Sequence, residues 1–251
     1  MKLIAHRGDS AHAPENTLEA FRRAIRCGAP AVECDLQRTR DGQWTVLHDA
    51  ILGRTTNGRG LVRRKSAAEL RRLSAGYRRK FGDKFLTEPI PTFEDLLRLL
   101  QPWGVHLYAE IKREALWGRS KYLESLVTPV DVHKMISNLT FISFDWRALK
   151  ALHTLNSNLS LGLLFEHHQP RRLFAAAERI GAKILIGHVG VVERHPDLVT
   201  WAHQLGTPVG VYTVDSLERL RKLERLGIDA AATNRICEFQ RFFNRSALPR
   251  R

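Results

Sequence analysis

Val32-Glu33-Cys34-Asp35-Leu36, followed by Thr39-Arg40-Asp41-Gly42 and then His48-Asp49, is the stretch that decides how this chain is read. A strand over Val32–Leu36 alternates its side chains, so Glu33 and Asp35 point to one face and Cys34 to the other. Asp41-Gly42 reads as a two-residue hairpin loop. With Arg40 opposite Gln43, Asp35 is expected opposite His48 and Cys34 opposite Asp49. Two carboxylates and an imidazole then share one face. Such a group is unfavourable in a core unless a cation compensates, and oxygen donors at this density suit Mg²⁺ or Ca²⁺.

Short apolar runs alternate with amphipathic stretches along the rest of the chain. Strands are expected near Leu3–Ala5, Val32–Leu36, Leu107–Ile111, Thr140–Ser143, Leu159–Phe165, Lys183–Ile186, Val209–Val214 and Asp229–Thr233. Helical periodicity fills Thr92–Leu100, Trp146–Leu155, Arg171–Ile180, Pro196–Leu205 and Ser216–Leu226. This alternation predicts an α/β fold, a closed (β/α)8 barrel, with the whole chain, residues 1–251, as one domain. The glycine-rich fingerprint of an open dinucleotide-binding sheet is missing. Asn16-Thr17-Leu18-Glu19 reads as a capping box with Asn16 as N-cap, and Gly28 as the stop of that helix. The glycine-rich, basic stretch from Leu52 to Pro91 has no core strand and reads as an insertion or lid after the hairpin.

In such a barrel the C-terminal ends of the strands open onto one face. His6 and Arg7 close the first strand, and Glu110 and Lys112 share a face at the end of another. His6, Glu33, Asp35, His48, Glu110 and Lys112 are therefore expected to converge, since so many polar groups are costly to bury without a ligand. Glu166, His167 and His168 after another strand, and Trp117 after Lys112, read as loop residues that could reach a bound molecule.

Composition bounds the remaining possibilities. Lys and Arg number 40 against 26 Asp and Glu, a net charge of +14, which favours anionic ligands. No recognition helix, zinc finger or aromatic RNA-binding motif accompanies the charge, so nucleic acid is not expected as a partner; a weak peripheral contact with anionic membrane is. No apolar run is long enough to span a bilayer, and the first residues leave no room for a signal peptide. Cys27, Cys34 and Cys237 are odd in number and far apart, which argues against a disulfide and for a reducing, cytoplasmic setting.

The chain resembles the glycerophosphodiester phosphodiesterase family, within the wider group of phosphoinositide-phospholipase-C-like barrels. The residues that carry the resemblance are His6-Arg7-Gly8 with Ala13-Pro14-Glu15-Asn16-Thr17, Glu33-Cys34-Asp35, Thr39-Arg40-Asp41-Gly42 and His48-Asp49. Weaker matches are Pro89-Ile90-Pro91-Thr92, Glu110-Ile111-Lys112, Ser143-Phe144, Tyr212-Thr213-Val214 and Gly227-Ile228-Asp229 leading to Thr233. The resemblance implies hydrolysis of glycerophosphodiesters, such as glycerophosphocholine or glycerophosphoethanolamine, to sn-glycerol 3-phosphate and an alcohol. It implies a divalent cation on Glu33, Asp35 and Glu110, His6 and His48 as acid and base, and Arg7 and Lys112 on the phosphate. A lysophospholipase D acting on an acylated substrate with the same residues is the neighbouring reading, and a noncatalytic phosphate-binding barrel a more distant one. Three positions depart from the family pattern: Asp9 where a small residue is usual, Asp215 where asparagine is common, and Asn234 where aspartate is common.

Overall fold

The computed structural model describes residues 1–113 and 122–246; Trp117 lies outside the described residues. Among the described residues nine strands form one sheet. They are β1 (Lys2–His6), β2 (Ala31–Arg38), β3 (Trp44–Val46), β4 (His106–Ile111), β5 (Leu139–Ser143), β6 (Ser160–Phe165), β7 (Ile184–His188), β8 (Val209–Tyr212) and β9 (Ala230–Thr233). All but β3 pair in parallel, and β1 bonds both β9 and β2, which closes the eight parallel strands into a barrel. The barrel is the (β/α)8 architecture expected from the alternating pattern, and β3 is an antiparallel strand on β2.

The described helices are α1 (Leu18–Arg26), α2 (Ala67–Arg71), α3 (Arg78–Phe81), α4 (Phe93–Leu100), α5 (Glu124–Val132), α6 (Trp146–Leu155), α7 (Pro170–Ile180), α8 (Val189–Arg194), α9 (Asp197–Gln204), α10 (Leu217–Arg225) and α11 (Ile236–Ser246). Strand alternation separates two cores. Ile4, Tyr108, Ile142, Leu164, Ile186 and Ala232 fill the barrel interior, whereas Leu3, Ala5, Val32, Cys34 and Leu36 face the helices and meet Phe21, Phe93 and Leu97. Phe21 and Phe93 are almost fully buried, and truncating either to alanine is expected to cost about 3–5 kcal/mol.

Local geometry corrects three expectations. The hairpin register is one residue away from the one expected: Leu36 faces Val46, Arg38 faces Trp44, and the Leu47 N–H donates to the Asp35 carbonyl. The loop has three residues, because Thr39 N–H donates to the Gln43 carbonyl and only Gly42 of the three takes a positive φ, +82°. A two-residue loop of the favoured kind needs positive φ at both central positions, which Asp41 does not adopt. His48 therefore lies past the end of β3 and not opposite Asp35. The N-cap of α1 is Thr17, whose hydroxyl accepts from Ala20 N–H at 3.3 Å, while Asn16 sits at φ +60° with its amide directed elsewhere.

The third correction concerns the cysteines. Cys27 and Cys237 form a disulfide with Cα atoms 5.1 Å apart across 210 residues of sequence. Barrel closure explains it: β9 lies beside β1, so α11 packs next to α1 and brings the two sulfurs together. Cys34 is free and buried. The cysteine pattern therefore no longer points to a reducing compartment. Among the described residues no helix is long and apolar enough to cross a membrane.

Residues 52–91 carry α2, α3 and a small apolar cluster of their own, in which Leu52, Val62, Leu70, Ala75 and Ile90 pack with Leu47. Phe85, with Phe81, turns inward against Ala13 and Ala20, beside the loop that follows His6. The Lys80 ammonium donates to the Ser10 carbonyl at 2.7 Å, tying the same two segments.

Candidate active site

Parallel register builds the site. His6 is the β-pair partner of Glu33, and Asp35 that of Glu110, so three strand ends place these side chains in adjacent layers at the C-terminal mouth. Beyond His6 the chain turns sharply, with Arg7 at φ +60° and Gly8 at φ +82°. A Cβ on Gly8 would stand 2.6 Å from the Ala20 backbone, so only glycine fits there. The turn aims the Arg7 backbone N–H at the Glu33 carboxylate, 3.0 Å away.

Six ionisable side chains then meet in a buried cluster. Arg7 reaches Asp35 through Nε at 3.0 Å and Glu15 through its terminal nitrogen at 2.8 Å. Lys112 Nζ lies 2.7 Å from Asp35 and 2.8 Å from Glu110. Asn16 holds Asp35 from the other side, donating from Nδ2 at 2.6 Å and accepting the Asp35 N–H at 3.2 Å. Oxygens of Glu33, Asp35 and Glu110 lie within 4.8 Å of one another.

The electrostatics follow from this arrangement. Burial pushes Asp35 up, but Lys112 and Arg7 outweigh it and hold its carboxyl well below the usual range. Glu33 is pushed well above it by burial and by the Asp35 charge. Burial, with Asp35, raises Glu110 to about 7 against the pull of Lys112. Burial opposes the charge of Lys112, yet Asp35 and Glu110 raise its ammonium above the ordinary lysine value. Glu33 and Glu110 hold their protons tightly here, and on shedding them to a cation they would join Asp35 as three carboxylates against two side-chain cations in a hard-oxygen setting. That donor set fits Mg²⁺ or Ca²⁺.

The imidazoles stand on different supports. His6 Nδ1 is 2.9 Å from the Asn234 amide oxygen, and burial together with the Arg7 charge lowers its pKa to about 4. His48 Nδ1 is 2.6 Å from Asp49, which also binds Arg54 at 2.6 Å. Arg54 returns to Glu15 at 2.7 Å, so His48, Asp49, Arg54, Glu15 and Arg7 form one continuous chain of contacts. A cavity of about 230 Å³ is bordered by His6, Arg7, Glu33, His48, Glu110 and Lys112, with Phe144, Tyr212 and Glu166 on its far side. The Tyr212 hydroxyl donates to Glu166 at 3.0 Å.

All seven residues singled out in the sequence, His6, Arg7, Glu33, Asp35, His48, Glu110 and Lys112, belong to this cluster or its cavity. His48 arrives by a route the expected register did not give. Asn16, Asp49 and Arg54 were missed in those roles. Asn16 looked like a helix cap, and Arg54 sits in a basic stretch whose cations read as solvated. Elsewhere, donor atoms of His168, His195 and Asp197 also come within 4.8 Å of one another. The two rings stack at 3.7 Å and 11°, however, so a point shared by both lies far out of each ring plane, where imidazole has no lone pair.

Comparison with known proteins gives the family. Residues 6–238 match the Glycerophosphoryl diester phosphodiesterase family. A glycerophosphodiester phosphodiesterase of Caldanaerobacter subterraneus subsp. tengcongensis is 31% identical over 232 residues, 92% of this chain and 93% of its own. One from Bacillus altitudinis is 30% identical, covering 93% and 94%. A phosphodiesterase structure from Oleispira antarctica, in complex with the product sn-glycerol-3-phosphate, superposes with a TM-score of 0.87 at 28% identity, covering 97% of each chain. The chain belongs to the glycerophosphoryl diester phosphodiesterase family of enzymes.

Proposed function

We propose that this enzyme hydrolyses glycerophosphodiesters, such as glycerophosphocholine or glycerophosphoethanolamine, to sn-glycerol 3-phosphate and an alcohol. The observation that carries the reading is the buried cluster itself: two imidazoles, two cations and three clustered carboxylates around one cavity. A phosphodiester is anionic and resists nucleophiles, so its hydrolysis needs positive charge at the phosphoryl oxygens and proton transfer at both the attacking and leaving oxygens.

In this reading Glu33, Asp35 and Glu110 hold a divalent cation, Mg²⁺ or Ca²⁺. When bound, the cation supplies charge neutralisation at phosphorus. Arg7 presents a fork of donors to the phosphoryl oxygens and Lys112 a point charge. His6 and His48 divide the acid and base roles: one takes the proton of the nucleophile, the other returns a proton to the leaving alkoxide. Glu15 and Arg54 keep Arg7 and the His48–Asp49 pair at a fixed distance across the mouth.

A substrate with an acyl chain would call for an apolar rim on residues 52–91. There Phe85 and Phe81 pack inward, and of Leu61, Tyr77, Phe81, Phe85 and Leu86 only Leu86 is exposed. The observation favours deacylated diesters. The test is release of sn-glycerol 3-phosphate by the wild type and by His6→Ala, His48→Ala and Glu33→Gln. Each variant is expected to lose at least about a hundredfold in kcat, the scale of a single acid–base or electrostatic contribution. Wild-type rates in both histidine variants would refute the assignment.

A further inference from the structure

The two positions that exchange asparagine and aspartate relative to the family pattern meet behind His6. Asp215 Oδ1 accepts from the Thr233 hydroxyl at 3.0 Å and from the Asn234 backbone N–H at 2.8 Å. Its Oδ2 accepts from Asn234 Nδ2 at 2.7 Å. Asn234 Oδ1 then faces His6 Nδ1 at 2.9 Å and the Ser10 hydroxyl at 2.8 Å.

The chemistry of this chain has one solution. A carboxylate only accepts, so the edge of the Asn234 amide that faces Asp215 must be its NH₂. The amide oxygen is thereby turned to His6, and an oxygen there requires the proton on Nδ1. Ser10 does not decide the matter, because its hydroxyl also reaches the His6 carbonyl at 2.8 Å and can donate or accept toward Asn234. Asp215 decides it. His6 Nε2 is left with its lone pair toward the cavity, 4.0 Å from Glu33.

We propose that Asp215 and Asn234 are positioning residues that lock His6 in the Nδ1-protonated tautomer, leaving Nε2 as the site's proton acceptor. The assignment deepens the proposed function and rests on His6 being one of its two acid–base groups. It also accounts for the two departures occurring together. With asparagine at position 215 and aspartate at 234, every bond of the chain can be remade: the amide oxygen accepts from Thr233 and the backbone N–H, its NH₂ donates to the carboxylate, and the carboxylate accepts from His6. What is kept is an acceptor facing Nδ1, oriented by its neighbour. In this chain the formal charge is one residue farther from the imidazole, while His48 has a carboxylate directly behind it. His6 is thus set up to present an unprotonated Nε2 to the cavity.

The single and double exchanges give opposite expectations. In Asp215→Asn the new amide uses its oxygen on Thr233 and the backbone N–H, so its NH₂ meets the NH₂ of Asn234. Asn234 must then turn over, presenting NH₂ to His6 and forcing the proton to Nε2. The Asp215→Asn, Asn234→Asp double variant restores the original polarity. Imidazole ¹⁵N NMR at pH 7 without substrate, paired with kcat and KM, reads both. The wild type is expected to show Nδ1–H at His6 and Asp215→Asn to show Nε2–H. With KM little changed, kcat is expected to fall about a thousandfold or more, the scale of a wrong-tautomer catalytic histidine. The double variant is expected to return to Nδ1–H with kcat within about tenfold of wild type, since both hydrogen-bond directions are restored.

An unchanged tautomer in Asp215→Asn, or a double variant that stays reversed, overturns the proposal. If Asp215→Asn does not fold, Asn234→Asp alone is read instead. It keeps an acceptor facing Nδ1, so an Nε2–H signal there overturns the proposal too. Because the tautomer is read without substrate, reversal and rescue in a protein that turns over no diester would support the positioning while refuting the proposed reaction.

Discussion

Replacing Lys112 by methionine removes one of two cations from the buried cluster while roughly keeping the volume of the side chain. Lys112 touches Asp35 at 2.7 Å and Glu110 at 2.8 Å, and all three side chains are largely shielded from water. Removing one partner of such a group leaves an uncompensated buried charge, at a cost of about 3–5 kcal/mol. Glu110, already raised to about 7, relieves part of that cost by taking up a proton. The low end, about 3 kcal/mol, is therefore expected near pH 8 without metal. An unfolding entropy of about 2.1 cal/mol/K per residue over 251 residues converts this to a fall of about 6 °C in Tm. Adding Mg²⁺ should recover more stability in the variant than in the wild type, because a cation bound at a hundred times its Kd contributes about 2.7 kcal/mol and no ammonium competes for Asp35 and Glu110. Differential scanning fluorimetry with and without Mg²⁺, after chelation, measures both quantities. A metal-free Tm equal to wild type would show that Lys112 does not neutralise the cluster, and an equal Mg²⁺ gain in both proteins would show that the cation binds elsewhere.

The raised Glu110 makes cation binding pH-dependent. Its folded value, about 7, lies above its ordinary 4.5, so the stability it contributes to the metal-free protein is fully present below about 4.5 and is lost as pH rises through about 7. A cation must displace that proton, and the one held by Glu33 where it is bound, so Mg²⁺ affinity should fall by at least about tenfold per pH unit below 7, with proton release seen by calorimetry in buffers of different ionisation enthalpy; flat affinity from pH 5.5 to 8 contradicts it. The Cys27–Cys237 bond closes 210 residues, and chain entropy puts its contribution at about 5 kcal/mol. Urea unfolding of the oxidised protein and of a Cys27→Ser, Cys237→Ser variant should differ clearly in midpoint, and coincident curves would show that no such bond constrains the chain. Glu15→Gln weakens charge-assisted bonds to Arg7 and Arg54, each worth about 1.5–3 kcal/mol, so a rise in KM of about tenfold or more is expected. An unchanged KM would detach Glu15 from substrate binding.

The barrel was legible because period-two apolar runs and period-3.6 helices alternate with little ambiguity, and because Glu33 and Asp35 fall on the inward parity of β2 while Val32, Cys34 and Leu36 face the helices. Parity does not fix loop length. Asp41-Gly42 supports either a two- or a three-residue turn, and the choice moves every cross-strand partner by one, as it did for His48. The disulfide was hidden for a different reason: Cys27 and Cys237 are neighbours only after β9 meets β1, a contact that no local pattern encodes. Asn16 and Arg54 show a third limit. Each has a common local use, as a cap or as a solvated cation, and only the folded chain reveals that Asn16 is bonded to Asp35 and Arg54 to Asp49 and Glu15. Asp9, by contrast, was visible as a departure. The structure compensates its burial with Arg23 at 3.1 Å and His12 at 3.0 Å.

The most direct test of the account follows glycerophosphocholine by ³¹P NMR with Mg²⁺ or Ca²⁺ present, then after chelation. The expected result is conversion of the diester resonance to that of sn-glycerol 3-phosphate, stopped by chelation and restored by the cation. Phosphocholine as the phosphorus product, or turnover that survives complete chelation, would contradict it.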